Sequence, residues 1–484
     1  MLVGLGSSNE SAGVVDLMTA AAGQAGADAG ASVLLSSVDR IVVPHGSWSR
    51  ADPGREVGRR IGAPDARTVL CEVGVSQQET INHALDAVAR GECETVLVVG
   101  GEARAWARSH EPEPEGETRP PDQVLTRPPD FVAPIERAAG LVLPPVQQYA
   151  LIENALGSAE GLDPDAQRRD VAALWARFNA VAQANPDAAF PAPLSSAEIA
   201  TPGPANRPLA FPYNRWHASQ WTVDQAAALL ICSSRRAEAA GVPLDRRLYA
   251  HVALHSSEAV TLTARRFLHT WPAMGVLGRA AAEHVGRPLR ELGLAEVYSC
   301  FPSAVRVQQR ALGLDLAGTP TLTGGMTFAG GPFNHFVLAS TVVLGRRLRE
   351  AATETELGLV TTVSGMLSKP GLALWGAVPP VDGHVLLADL AHEGLAATEL
   401  VAVAEVPPGR RTPATVVAFT VTYGGDGGLD PVRTAVVADL PDGVRTAATC
   451  DDAATAGLAV TEGLAGRTRL GGNGAHRLNV VSFT

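Results

Sequence analysis

Nucleophiles and bases are sparse in this chain, so those at chemically useful places can be taken one by one. Of the 39 Lys plus Arg residues a single one, Lys369, is a lysine. Schiff-base or pyridoxal chemistry would have to use that amine. It stands in Ser-Lys-Pro rather than Gly-Lys-Ser/Thr, which excludes a P-loop; its turn is expected on the exposed surface, although a lone cation near a pocket can pair with phosphate. Ser76 follows Gly74-Val75 and precedes an amphipathic stretch, so it can cap a helix, touch a substrate or act as a weak nucleophile. Cys300, in Tyr298-Ser299-Cys300-Phe301, stands where a strand should meet a helix and serves either as a reactive thiol or as packing. After Gly330-Gly331-Pro332 come Asn334 and His335, which open a helix and offer a base at its start. His217, in Asn-Arg-Trp-His, can face a ligand. His251 and His255 have the spacing of a helical metal pair, but on a strand they stand roughly 13 Å apart, and no metal site is expected.

The elements that must position these groups follow from the periodicity. Residues 1–6 read as a buried strand and 15–27 as an Ala-rich helix. Residues 67–70 form a second strand. Ile81, Ala84, Leu85 and Val88 then trace the apolar stripe of a helix, and 95–99 form a strand stopped by Gly100-Gly101. That is a βαβ unit. Residues 103–143 are Pro-rich and charged, an excursion with little regular structure, and 144–212 carry inserted helices. The second half repeats the first: strands near 248–254 and 296–301, a helix from about Ser303, a Gly-rich turn at 324–334, a helix over 336–350, and a strand pair at 358–363 and 372–376. The expected domains are 1–240, with the insert at about 103–212, then 241–378, then 379–484. The last holds strands at 414–423, 432–440 and 445–449, a helix near 451–462 and a closing strand over 479–483. This suits a small OB-like barrel.

Composition bounds the function. The chain has 484 residues, 46% hydrophobic and 18% charged, with a net charge of -11. An acidic chain has no general attraction for nucleic acid or anionic lipid. From residue 410 onward seven Arg face seven acidic residues with few aromatics, which argues against an oligonucleotide groove. The five cysteines, Cys71, Cys93, Cys232, Cys300 and Cys450, lack CxxC spacing, which points to a reducing cytosol. No signal peptide opens the sequence and no run of 18 apolar residues occurs, so a cytoplasmic protein is expected.

Several strings resemble the thiolase superfamily in its sterol carrier protein x-type and thiolase-like branches. They are VSQQETINHALDAVARGECETVLVVGGE (75–102), PVQQYALIENAL (145–156), WTVDQAAALLI (221–231), VYSCFPSAV (297–305), GGMTFAGGPFNHF (324–336) and VTTVSGMLSKPGLALWG (360–376). With the extra C-terminal domain, the chain looks most like the mycobacterial thiolase-like proteins. The resemblance implies an α/β duplicated thiolase fold layered α/β/α/β/α, a CoA thioester as substrate or ligand with no other cofactor, and a possible homodimer through a core strand of the first half.

The resemblance also tests the chemistry position by position. It places the nucleophilic cysteine at about Gly74, followed by Val75 and Ser76, and the acid/base cysteine at about Val363, before Ser364. Gly330-Gly331-Pro332 replaces Gly-His-Pro. Claisen chemistry needs a thiolate, a second base and oxyanion donors, so ordinary thiolase activity is not expected. Two functions compete. One is an atypical acyltransferase working through Ser76, Cys300 and His335, with Gly74, Val75, Gly330, Gly331, Asn334 and Ser364 at the substrate. The other is a non-catalytic acyl-CoA-binding or scaffold protein. In either, the helices opened by the two Gly turns should converge on one cleft.

Overall fold

The computed structural model describes residues 1–111, 116–128, 131–141, 145–351, 356–406, 411–466, 469–471 and 480–482. Parts of the charged excursion and both ends of the expected closing strand lie outside the described residues.

Long apolar runs make the central strands, as a sheet covered on both faces requires. Thr95–Ala103 and Asp224–Cys232 are buried almost throughout. The first sheet has the order Leu2–Ser8, Asp224–Cys232, Thr95–Ala103, Arg40–Pro44, Arg67–Cys71 and Gln123–Leu125. Its first two pairings are antiparallel and the remaining three parallel. The second sheet runs Leu294–Glu296, Leu357–Ser364, Lys369–Gly376, Tyr249–His255 and Leu386–Asp389. Two helices, Gln77–Ala89 and Phe336–Arg349, each touch strands of both sheets. Val14–Asp28 packs on the outside of the first sheet and Pro272–Val285 on the outside of the second. The expected α/β/α/β/α layering is therefore present.

Three expectations need correction. Gly100 and Gly101 do not stop their strand, which continues to Ala103. Glycine is needed there because a Cβ at Gly100 would run into His335 and one at Gly101 into Met18, so these residues mark close packing and not a turn. The strand expected to reach Phe301 ends at Glu296, whose buried carboxylate collects the Leu322 and Thr323 amides at 2.6 and 2.9 Å. The charged excursion is not all irregular. Its residues Gln123–Leu125 pair in parallel with Val69, Leu70 and Cys71, covering the outer edge of Arg67–Cys71.

The C-terminal strands form an eight-stranded sheet with the insert: Arg411–Pro413, Arg469–Gly471, Val480–Ser482, Arg445–Cys450, Asp430–Asp439, Thr415–Gly424, Pro208–Ala210 and Tyr213–Asn214. Phe211 of the insert shares an apolar cluster with Val416, Phe419 and Val421. The Asn154 amide donates to the carbonyls of both Phe211 and Phe419, at 3.0 and 2.7 Å. These strands are compatible with an OB-like domain, and they are built onto the body rather than tethered to it. Among the described residues no helix is long and apolar enough to cross a membrane.

Candidate functional site

The two Gly turns do lead their helices toward each other. At the first, Gly74 has φ 117° and Ser76 is the N-cap of Gln77–Ala89, its hydroxyl accepting from the Glu79 amide at 3.1 Å. The cap occupies the Ser76 oxygen. At the second, Gly330 has φ 105°, and His335 begins Phe336–Arg349. Between them stands Gln77, whose Oε1 accepts from the helix N-terminal Val337 amide at 2.7 Å and whose side chain lies near the Tyr298 hydroxyl. The convergence is real, but a side chain of the chain itself fills the gap.

The remaining candidates are placed as follows. Val75 and Cys300 are buried in one apolar cluster that also holds Val363 and Met366. Where the family pattern has sulfur chemistry, this chain has core. Burial pushes the Cys300 thiol up to about 12, so it is a thiol at neutral pH, within reach of the Tyr149 hydroxyl. Cys71, three residues before Gly74, is likewise pushed up to about 12 by burial and stays in the core. His335 is buried against Gly100, and desolvation drives its imidazole down to about 3. Its Nε2 has no partner among the described residues. Asn334 donates to the His45 carbonyl at 3.1 Å, and the Gly331 amide donates to the Gln220 carbonyl at 2.9 Å. Ser364 lies opposite Lys369 in the hairpin register.

His217 is used structurally: its Nδ1 accepts from the Asn214 amide at 3.0 Å. His251 and His255 lie on one strand, as expected, with different partners, the Val378 carbonyl and the Asn82 amide. Among the described residues no group of three His, Cys, Asp or Glu side chains could hold a metal ion.

Sequence reasoning misplaced one residue at the site and missed another. Lys369 is not on the surface; it is 1% exposed, and its ammonium donates to the carbonyl of Gly74. The signal was its rarity in a chain that otherwise uses arginine. Gln77 gave no signal, because a glutamine after a cap is an ordinary first-turn residue. A cavity lined by Gly330, Gln225 and Phe336 measures about 40 Å³, room for water but not for a thioester. A larger one, about 300 Å³, lies elsewhere, between Arg177, Arg306, Arg310 and Glu160.

No protein-family model matches the sequence, and no curated protein does. Solved structures do. A monomeric SCP2-thiolase-like protein of type 1 from Mycobacterium smegmatis superposes with a TM-score of 0.84 at 26% identity, over 100% of this chain and 98% of that one. Acetyl-CoA acetyltransferase from Syntrophomonas wolfei matches at 0.54 and 19% identity, over 78% of this chain and 98% of its own. The dimeric peroxisomal thiolase of Saccharomyces cerevisiae matches at 0.53 and 13%, over 78% and 96%. These last two share the fold alone. A counterpart that matches from end to end, C-terminal strands included, shows that this chain has the fold of the SCP2-thiolase-like proteins and thiolases.

Proposed function

We propose that this chain binds an acyl-CoA or a related acyl thioester and does not run the thiolase reaction. The fold supports the ligand class. The observation that carries the second half is Gln77, whose amide oxygen takes the helix N-terminal Val337 amide that would otherwise face a reacting carbonyl. Rewired acyl transfer through Ser76, Cys300 and His335 is the weaker reading. Among the described residues no hydrogen bond joins any two of the three, and each already has a packing or capping role. The ligand then meets the protein through backbone groups around the two turns, once Gln77 moves aside.

We also propose that the protein is a monomer rather than the homodimer that the resemblance implies. The edge of Arg67–Cys71 is already covered by Gln123–Leu125, and the new edge is a three-residue strand, too short to serve as a long template for a second chain. Light scattering behind a sizing column should return one chain per particle.

Calorimetry with short and long acyl-CoAs, followed by intact mass, tests the main claim. Saturable binding with no adduct on Ser76 or Cys300, and no acetoacetyl-CoA thiolysis at the roughly 1–1000 per second of ordinary enzymes, is the expected result. Normal turnover, or an acyl group on either residue, would overturn it. So would the absence of any binding.

A further inference from the structure

The turn between the strands Leu357–Ser364 and Lys369–Gly376 carries three features that ligand binding through backbone groups leaves unused. The first is Lys369, the one lysine. Its ammonium reaches the Gly74 carbonyl, lies 4.7 Å from the Phe131 ring centroid, and has no ion-pair partner among the described residues. A buried ammonium without a carboxylate contact is costly, and the amine responds by losing its proton more readily. Desolvation pulls it down to about 8, with Glu79 and Glu258 opposing the shift and Arg127 adding to it.

The second feature is strain. Leu367 has φ 53°, in the left-handed region that bulky residues avoid, a cost of order 1–3 kcal/mol. The buried Arg265 holds the turn there, donating to the carbonyls of Met366 and Leu367 at 2.6 and 3.1 Å. The third feature is Ser368. Its hydroxyl is buried, has no hydrogen-bond partner among the described residues, and lines a small cavity with Ser256, Glu258 and Trp271. A buried hydroxyl left unpaired favours the arrival of a polar atom. Glu258 belongs both to that cavity and to the surroundings of the amine.

We propose that Lys369 is an imine-forming amine and that this turn receives a ligand bearing a ketone or aldehyde oxo group. The amine stands between the two places where the resemblance puts sulfur: its nitrogen is at Gly74, and its hairpin partner Ser364 follows Val363. The neutral amine adds to the oxo carbon, forming a C–N bond as the carbonyl π bond opens to a carbinolamine. The oxygen then departs as water with both amine protons, leaving C=N. No oxidant or reductant enters. The buried position favours the neutral amine that this step requires, against the cation–π contact with the ring of Phe131. A 3-oxoacyl thioester is one such ligand, and to that extent the proposal rests on the thioester reading; a simple ketone tests it without that reading.

The experiment treats the full-length protein at about pH 8 with acetone or with acetoacetyl-CoA, with and without borohydride, and maps any adduct by peptide mass. One reduced adduct per chain on the peptide holding Lys369, absent without borohydride and lost in Lys369→Arg, is expected. The amine of Met1 is buried against the Cys232 carbonyl, and the map separates it from Lys369. Because the mapping is made on the unsubstituted protein, it stands even if the variant does not fold. No adduct on Lys369 with either reagent overturns the proposal, as does labelling confined to Met1. An acyl amide on Lys369 formed without borohydride overturns it in favour of acyl acceptance. Trapping of acetone with no acetoacetyl-CoA binding by calorimetry would keep the amine and discard the thioester reading; acyl-CoA binding with no trapping would do the reverse.

Discussion

The two turns that open the central helices have the same place in the duplicated fold and have been closed in different ways. At Gly74–Ser76 the closure is polar and charged: the Ser76 hydroxyl caps the helix, and the Lys369 ammonium holds the Gly74 carbonyl. At Gly330–His335 it is steric and neutral: His335 packs on Gly100, Gln225 on Gly330, and the Ser219 segment on Gly331. The difference shows which half can still do chemistry. A neutral imidazole locked in the core has nothing to exchange with a ligand, whereas an amine drawn toward neutrality beside a backbone carbonyl does.

The largest effect expected from breaking this contrast comes at the second turn. A side chain at Gly331 would land on the Ser219 hydroxyl and crowd the Met326 carbonyl. Gly331→Leu should therefore lower stability by more than about 3 kcal/mol in chemical denaturation, the upper end for overpacking. Lost acyl-CoA affinity in that variant reports folding and not a contact with the ligand. A variant as stable as the parent would show that the turn is loosely packed and could open by itself.

Acid should come next. His335 has its imidazole lowered from 6.5 to about 3, first by desolvation. The unfolded chain then takes up a proton that the folded chain refuses. Stability is full above about 6.5 and falls as pH drops from there toward about 3. The loss is a few kcal/mol at most, since each tenfold difference in proton affinity between the folded and unfolded chains is worth about 1.4 kcal/mol. His217, lowered to about 3 by the same cause, adds to the slope. Glu296, raised by burial from 4.5 to about 7, acts in the opposite sense, losing stability as pH rises through about 7. Melting curves from pH 7 to 4 should therefore be flatter in His335→Gln than in the parent.

Gln77 ties the two turns together. Gln77→Ala leaves the Val337 amide without its partner in a buried place, at a cost of about 1–3 kcal/mol. The same change clears the space between the helix N-termini. Acyl-CoA affinity should rise while the midpoint of denaturation falls, and a fall in both would mean that Gln77 is itself a ligand contact.

Much of the fold was legible in the sequence because its signals are periodic. The helix over Gln77–Ala89 was announced by Ile81, Ala84, Leu85 and Val88, and the strands by apolar runs with Gly at their ends. Failures came where a residue answers to a distant neighbour. Gly100 looked like a stop because nothing local shows His335 above it, and Gln123–Leu125 looked like loop because its pairing partner lies more than 50 residues earlier. The site was legible as a place and not as a chemistry. Missing cysteines can be read from a string; the burial of Lys369 and the reach of Gln77 depend on how two halves of the chain meet.

The smallest effect should come from the cap at the first turn. Ser76 is 2% exposed, and its hydroxyl oxygen receives the Glu79 amide at 3.1 Å while its carbonyl receives the Thr80 hydroxyl and amide. Removing the hydroxyl frees one helix N-terminal amide and changes nothing in the backbone. Ser76→Ala should therefore cost about 1 kcal/mol, within the 0.5–2 kcal/mol span of lost N-caps, while Ser76→Asp, which restores an acceptor, should recover most of it. Acyl-CoA affinity should stay within about twofold in Ser76→Ala, since a hydroxyl engaged in capping has no geometry left for a thioester. If affinity falls more than tenfold, about 1.4 kcal/mol, with stability unchanged, the oxygen belongs to the ligand instead. The two turns would then differ less than their closures suggest.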